Sequence, residues 1–183
     1  LKHYSNWGLA DKRSLSFGHG PMNTNLAQLA RAYLVFANEG SIPSLKLFKN
    51  DKATDNLQQV FSPESTRRIA EILDSVASDN GSGYRAVIDG YSVAGKTGTA
   101  EMVIDGKYNK DGAKRTYFIG FSPAKNPKYI MAVRLDYPKK CFVSWDPTMR
   151  NRCEGSNSAS MAFQKAMKRI LINDPEIKSK FEG

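Results

Sequence analysis

The sequence predicts a mixed α/β chain of the α+β type, a sheet flanked by helices, and three observations carry that expectation. Residues 117–121 and 129–136 are almost continuously apolar (Phe118, Ile119, Phe121; Tyr129, Ile130, Met131, Ala132, Val133, Leu135), the pattern of strands covered on both faces. Apolar residues recur at helical spacing on either side of these runs. The 183 residues, 40% of them hydrophobic, suffice for one domain with its own core.

Each element follows in order. Thr24 or Asn23 can cap a helix whose positions Leu26, Leu29, Ala30, Tyr33, Leu34 and Ala37 share a face, with Gly40 past its end. Ser62 caps a second helix, with Pro63 at its first position, Glu64 in its first turn and Ile69, Ile72, Leu73 and Val76 on one face. The loop 79–83 releases the chain into strands. Residues 91–104 form one long strand or two short ones, turning at Asp105-Gly106, a hairpin signal. The next two strands are joined by residues 123–128. A last helix, about 157–172, turns Ala159, Phe163, Ala166, Met167 and Ile170 toward the sheet.

Within the first strand region, Lys96-Thr97-Gly98-Thr99 carries chemistry. Successive strand side chains alternate, so Thr97 and Thr99 share one face while Lys96 and Gly98 share the other. A threonine hydroxyl can bond a carboxylate, an unpaired backbone N–H can stabilise an oxyanion, and the lysine adds positive charge. Glycine lets a neighbour approach the backbone. The plainer alternative is a threonine-rich strand with a solvated lysine.

Three stretches decide between them: Ser16-Phe17-Gly18-His19-Gly20 followed by Leu26-Ala27-Gln28-Leu29-Ala30-Arg31-Ala32-Tyr33; Val93-Ala94-Gly95-Lys96-Thr97-Gly98-Thr99-Ala100; and Phe118-Ile119-Gly120-Phe121-Ser122-Pro123-Ala124. In this order, over about residues 14–137, the chain resembles the transpeptidase domain of class B penicillin-binding proteins, nearest the septum-specific branch. The resemblance implies an antiparallel sheet with helices on both sides and the Lys96 strand bordering the active cleft. It implies that Lys96 positions substrate, that Thr97 and Thr99 bond the carboxylate of a peptide or β-lactam, and that the Thr99 N–H completes the oxyanion hole. Also implied are peptidoglycan stem peptides as substrate, division-complex proteins as partners, no cofactor or metal, and a place on the periplasmic face of the bacterial inner membrane. A serine β-lactamase shares the tetrad, but the stretch 16–33 and the hairpin 118–124 argue against it. A non-catalytic sensor or binding module of the same fold is the other alternative.

The nucleophile is missing from this pattern. A serine followed three residues later by lysine occurs once, Ser122 to Lys125, and a serine-x-asparagine once, Ser78 to Asn80. Chance alone predicts roughly 1.6 and 1.1 such matches. The family order is nucleophile, serine-x-asparagine, then the lysine tetrad, and these matches violate it. Pro123 and Asn126-Pro127 make a hairpin connection of the first, and Gly81-Ser82-Gly83 make a loop of the second. The expectation is that residues 1–183 are the C-terminal part of one transpeptidase domain, with the reactive serine upstream of Leu1. Such a chain is expected to be inactive alone and to self-associate through an unpaired sheet edge and exposed apolar surface.

The net charge of +9 raises the possibility of nucleic acid, yet the basic residues are scattered without a binding motif, so none is expected. A positive surface suits carboxylated cell-wall substrates or an anionic membrane nearby. No apolar stretch approaches 18 residues, so nothing reads as a membrane span, and by resemblance the anchor lies in a distant N-terminal segment. His19 stands where relatives carry tyrosine and is read as lining or packing, since the resemblance makes lysine the base; His3 has no partner motif. Asp105, Lys107, Lys110, Asp111, Lys114 and Arg115 read as a solvated hairpin tip. Cys141 and Cys153 have no further ligands for zinc. In an oxidising periplasm they are candidates for a disulfide, with two unpaired thiols as the alternative. The enclosed residues 142–150 depart from the aromatic-glycine-glycine pattern of relatives, so contacts from that region are not carried over.

Overall fold

The computed structural model describes residues 7–19, 23–46, 48, 57–104, 107–108, 113–139, 141 and 153–177. The chain runs through α1 (Leu9–Ser16), α2 (Leu26–Ala37), β1 (Ser41–Ile42), β2 (Gln58–Gln59), α3 (Pro63–Val76), a 3-10 turn (Tyr84–Ala86), β3 (Ala94–Glu101), β4 (Val103–Ile104), β5 (Lys107–Tyr108), β6 (Lys114–Ser122), β7 (Tyr129–Asp136) and α4 (Ala159–Ile172). The main sheet is antiparallel with strand order β3-β6-β7.

Register sorts the two faces. Thr97, Phe118 and Val133 lie opposite one another, as do Ala94, Phe121 and Ile130, and directly opposed residues share a face. On the first face Phe118 and Phe163 of α4 meet with ring centroids 4.6 Å apart, inside a cluster with Ile88, Val93, Ala159, Met167 and Leu171. On the second, Ala94 and Phe121 pack against Leu73 of α3 and against Tyr33 and Phe36 of α2. Helices therefore cover both sides, as the apolar strands require. Burial holds the Tyr33 phenol above its ordinary pKa.

Two glycines let the first core form. A Cβ on Gly95 falls 2.7 Å from the Phe118 ring, and one on Gly120 falls 2.6 Å from the Ala94 carbonyl and 3.1 Å from the same ring. The Phe118 ring thus lies over a glycine on its own strand and another on β3.

Several elements differ from their sequence readings. The cap of α2 is Asn25, whose side chain accepts from Gln28 N at 2.9 Å, in place of Thr24 or Asn23. In α3, capped by Ser62 as expected, the buried residues are Thr66 and Leu73, while Ile69 and Ile72 face solvent. Thr66 tolerates burial because its hydroxyl donates to the Ser62 carbonyl at 3.0 Å. In α4 the buried set is Ala159, Ser160, Phe163, Met167 and Leu171; Ala166 and Ile170 point outward. Ser160 satisfies its hydroxyl on the Ser156 carbonyl. The short helix α1, absent from the sequence reading, buries none of its residues. Lys114 and Arg115 belong to β6 rather than to a hairpin tip, and Arg115 Nε lies 2.9 Å from Asp136. Asp105-Gly106, Lys110 and Asp111 lie outside the described residues; β4 and β5 pair antiparallel, with Ile104 opposite Lys107.

The far end of α4 is clasped to the start of β7. Asp174 accepts from the Tyr129 hydroxyl and from Lys128, whose Nζ also reaches Glu176. These donors hold the Asp174 carboxyl down at about 2, and the carboxylates of Glu176 and Asp174 in turn raise the Lys128 ammonium.

Candidate functional site

The tetrad lies in the middle of β3, which among the described residues pairs only with β6 and so presents a free edge. Lys96 Nζ donates to the Thr97 carbonyl at 2.9 Å. In an antiparallel ladder a residue's N–H and C=O point to the same side and alternate along the strand. A Thr97 carbonyl directed off the edge therefore brings the Thr99 N–H off the same edge, two residues on. Lys96 is exposed, as is Thr99, and Thr97 and Gly98 are half-buried.

The side chain of Thr99 is held by a residue far along the chain. Gly155 N donates to Thr99 Oγ1 at 3.0 Å. A hydroxyl offers two acceptor sites and one proton, so occupying an acceptor site with an N–H leaves the O–H to donate elsewhere. Donation to a carboxylate is the strong case, because charge-assisted bonds are shorter and stronger than neutral ones.

Gly155 reaches Thr99 only because it is glycine. A Cβ there falls 2.6 Å from the Gly98 carbonyl, 2.7 Å from the Tyr117 carbonyl and 2.9 Å from Gly98 N. By contrast a Cβ on Gly98 finds its nearest neighbour at 3.3 Å, Tyr117 Cβ. The close approach that the tetrad glycine suggested is made by the backbone of Gly155 onto that strand.

The turn carrying Gly155 is anchored on both sides. Cys153 Sγ is bonded to Cys141 Sγ, with the two Cα atoms 5.4 Å apart, and Cys153 is buried. Glu154 N donates to Asn157 Oδ1 at 2.6 Å, and Glu154 Oε1 lies 3.5 Å from Lys114 Nζ. The Ser158 hydroxyl contacts Thr116 Oγ1 at 2.9 Å as well as the Glu154 carbonyl.

The other sequence candidates stand apart from this group. Ser122 is fully buried at the end of β6, its hydroxyl donating to the Ser92 carbonyl at 2.7 Å, while Lys125 is exposed in the following turn. Ser78 donates to the Ser75 carbonyl at 2.7 Å just past α3. His19 is exposed, its ring 5.2 Å from that of Phe17. His3 and residues 142–150 lie outside the described residues. Gly155 and Thr116 escaped the sequence reading, which sought glycines between the cysteines; the signal was the small-residue run Gly155-Ser156-Asn157-Ser158 just after Cys153.

Comparison with known proteins agrees with this geometry. Residues 2–167 match the family described as penicillin binding protein transpeptidase domain. The peptidoglycan D,D-transpeptidase FtsI of Buchnera aphidicola (subsp. Baizongia pistaciae) is 36% identical over 170 residues, 90% of this chain and 27% of that protein. FtsI of Escherichia coli K12 is 36% identical over 135 residues, 73% of this chain and 22% of that protein. The chain thus spans about a quarter of the length of these relatives. In structure, the apo transpeptidase domain of Burkholderia pseudomallei penicillin-binding protein 3 superposes with a TM-score of 0.75 at 29% identity, over 97% of this chain and 51% of that one. With its tetrad on the free edge of an antiparallel sheet enclosed by helices, the chain belongs to the penicillin-binding protein transpeptidase domain family.

Proposed function

We propose that this chain forms the substrate-gripping wall of a serine-type peptidoglycan D,D-transpeptidase, an enzyme that cross-links stem peptides and is acylated by β-lactams. The observation that carries it is Thr99, with its backbone N–H off the free edge of β3 and its hydroxyl relayed from Gly155 N. Thr97 and Thr99 hydroxyls hold the carboxylate of the D-alanyl terminus or of the antibiotic. The Thr99 N–H donates to the oxyanion that develops as a serine attacks the carbonyl carbon. Lys96 raises the positive potential over that carboxylate and orients the groups of the facing wall.

The attacking serine belongs to a segment preceding residue 1. Ser122 and Ser78 have hydroxyls committed to backbone carbonyls, which supports that placement. By kinship with FtsI proteins the role is in septal wall synthesis, on the periplasmic face of the inner membrane and among division proteins. The 183-residue chain alone is inactive and self-associates, an expectation supported by the exposed Leu57, Phe61 and Ile72 and by the outer edge of β7, which pairs with no other strand among the described residues.

Labelling with a fluorescent penicillin tests this reading. A longer protein containing this chain becomes covalently labelled and the isolated chain does not. Label on the isolated chain overturns the placement of the serine. An unlabelled longer protein that still binds stem peptide overturns the enzyme in favour of a sensor.

A further inference from the structure

We propose that the Cys141–Cys153 bridge is a positioning device for Thr99, acting through the Gly155 N–H; this rests on Thr99 being the carboxylate ligand proposed above. The geometry places the bridge at the level of the tetrad. Asp136 at the end of β7 lies opposite Arg115, and Arg115 lies opposite Ala100, the residue after Thr99. Cys141 follows that strand end by a short segment, and Cys153 precedes Gly155 by two residues, at most about 7 Å of chain. The bridge therefore ties the end of one edge strand to the turn that touches the other.

The remaining ties do not replace it. From the helix side the turn is fixed by Ser160 N donating to the Gly155 carbonyl at 2.9 Å and by the Ser158–Thr116 contact. Ahead of Gly155, among the described residues and apart from the bridge, Glu154 is tied through its N–H to Asn157 Oδ1 and through its carbonyl to Asn157 N and the Ser158 hydroxyl, all within the turn and the start of α4. It reaches the sheet only through Lys114 at 3.5 Å with half its side chain exposed, a pair of little energetic weight. Gly155 has no room to move toward the sheet, because its backbone lies so close to the Gly98 and Tyr117 carbonyls that even a Cβ would clash there. With the bridge open, the Gly155 N–H drifts from Thr99, and the hydroxyl no longer has its acceptor site filled and its proton directed outward.

Amide exchange and ligand titration on the isotopically labelled chain test this. A dithiol reductant supplies two electrons and two protons, the Sγ–Sγ bond breaks to two thiols, and the reductant leaves as its own disulfide. In the reduced chain and in Cys141→Ser, the Gly155 amide exchanges about tenfold faster while the Phe118 and Ile119 amides keep their protection. Affinity for D-alanyl-D-alanine, read at the Thr99 amide, falls about tenfold, the loss of one charge-assisted hydrogen bond. Equal Gly155 exchange and equal affinity with and without the bridge overturn the proposal. Should Cys141→Ser fail to fold, Gly155→Ala with the bridge intact decides: it loses the dipeptide response, and an unchanged response overturns the relay. If the oxidised chain ignores the dipeptide yet Gly155 exchange still depends on the bridge, the substrate reading fails and the positioning stands.

Discussion

The hydroxyls of Thr116 and Ser158 meet at 2.9 Å in the buried seam where β6 carries the start of α4. Each is enclosed, so each depends on the other, and the Glu154 carbonyl supplies a further acceptor. Thr116→Val leaves Ser158 with one partner fewer and costs about 1–3 kcal/mol, whereas Thr116→Ser restores most of it. Chemical denaturation of the three proteins checks this order.

The aromatic pair Phe118 and Phe163 holds two of the largest fully buried side chains. Phe163 is fully buried and packs on Phe118 with the two rings tilted by 52°. Phe163→Ala removes the ring that packs on Phe118 and leaves a gap among Phe118, Met167 and Leu171, and is expected to cost about 3–5 kcal/mol. A fall in the urea midpoint at unchanged m-value is the expected result.

Acid should release the clasp between α4 and β7. Asp174 is held at about 2 by Tyr129, Lys128 and the Glu176 N–H, so the fold favours its ionised form. A depressed carboxyl contributes stability that is complete above about pH 4 and is lost as pH falls through about 2. Asp174→Asn therefore melts below the parent near neutrality, and the two melting temperatures converge toward pH 2. A gap that stays constant over this range refutes the assignment.

Thr99 is exposed, but its hydroxyl accepts from the buried Gly155 N–H, so its loss should cost function and about 1–3 kcal/mol of the fold as well. In a longer protein carrying this chain, Thr99→Val slows acylation by a carboxylate-bearing β-lactam about 10- to 100-fold, the worth of a hydrogen bond to a charged group. The melting temperature of the Thr99→Val chain falls by about 2–4 °C for each kcal/mol so lost, whereas Thr99→Ser, which keeps the acceptor, melts with the parent. Stopped-flow acylation and calorimetry separate the two.

The outer edge of β7 should pair between copies. Its central residues Met131, Ala132 and Val133 carry no charge, and charges appear only toward its end at Arg134 and Asp136. Ala132→Lys or Met131→Pro is expected to shift light scattering toward the monomer at concentrations where the parent chain associates. An unchanged mass distribution rules out this edge.

The sheet was legible because strands covered on both faces must be nearly continuous in apolar residues, and residues 117–121 and 129–133 are. The tetrad was legible for a different reason, since its chemistry is local. Ile69 and Ile72 misled because a helical stripe specifies an apolar face without specifying which neighbour covers it; Thr66, with its hydroxyl turned to Ser62, took an inward position instead. Gly155 was invisible because its role arises from a contact across 56 residues, and nothing local distinguishes such a glycine from one in an ordinary turn. Asn25 outranked Thr24 as a cap by one residue of register, the scale on which helix ends are set.

With strand order β3-β6-β7, the edge that holds the tetrad and the edge open to pairing lie two strand spacings apart, roughly 10 Å. On the proposed reading, carboxylate recognition and strand addition would proceed at once on opposite flanks of β6. Any influence of one on the other must pass through the register of a single strand, whose Phe118 ring is wedged over glycines on β3 and β6. A chain joined to others along β7 should thus titrate with dipeptide as a set of independent, equivalent sites.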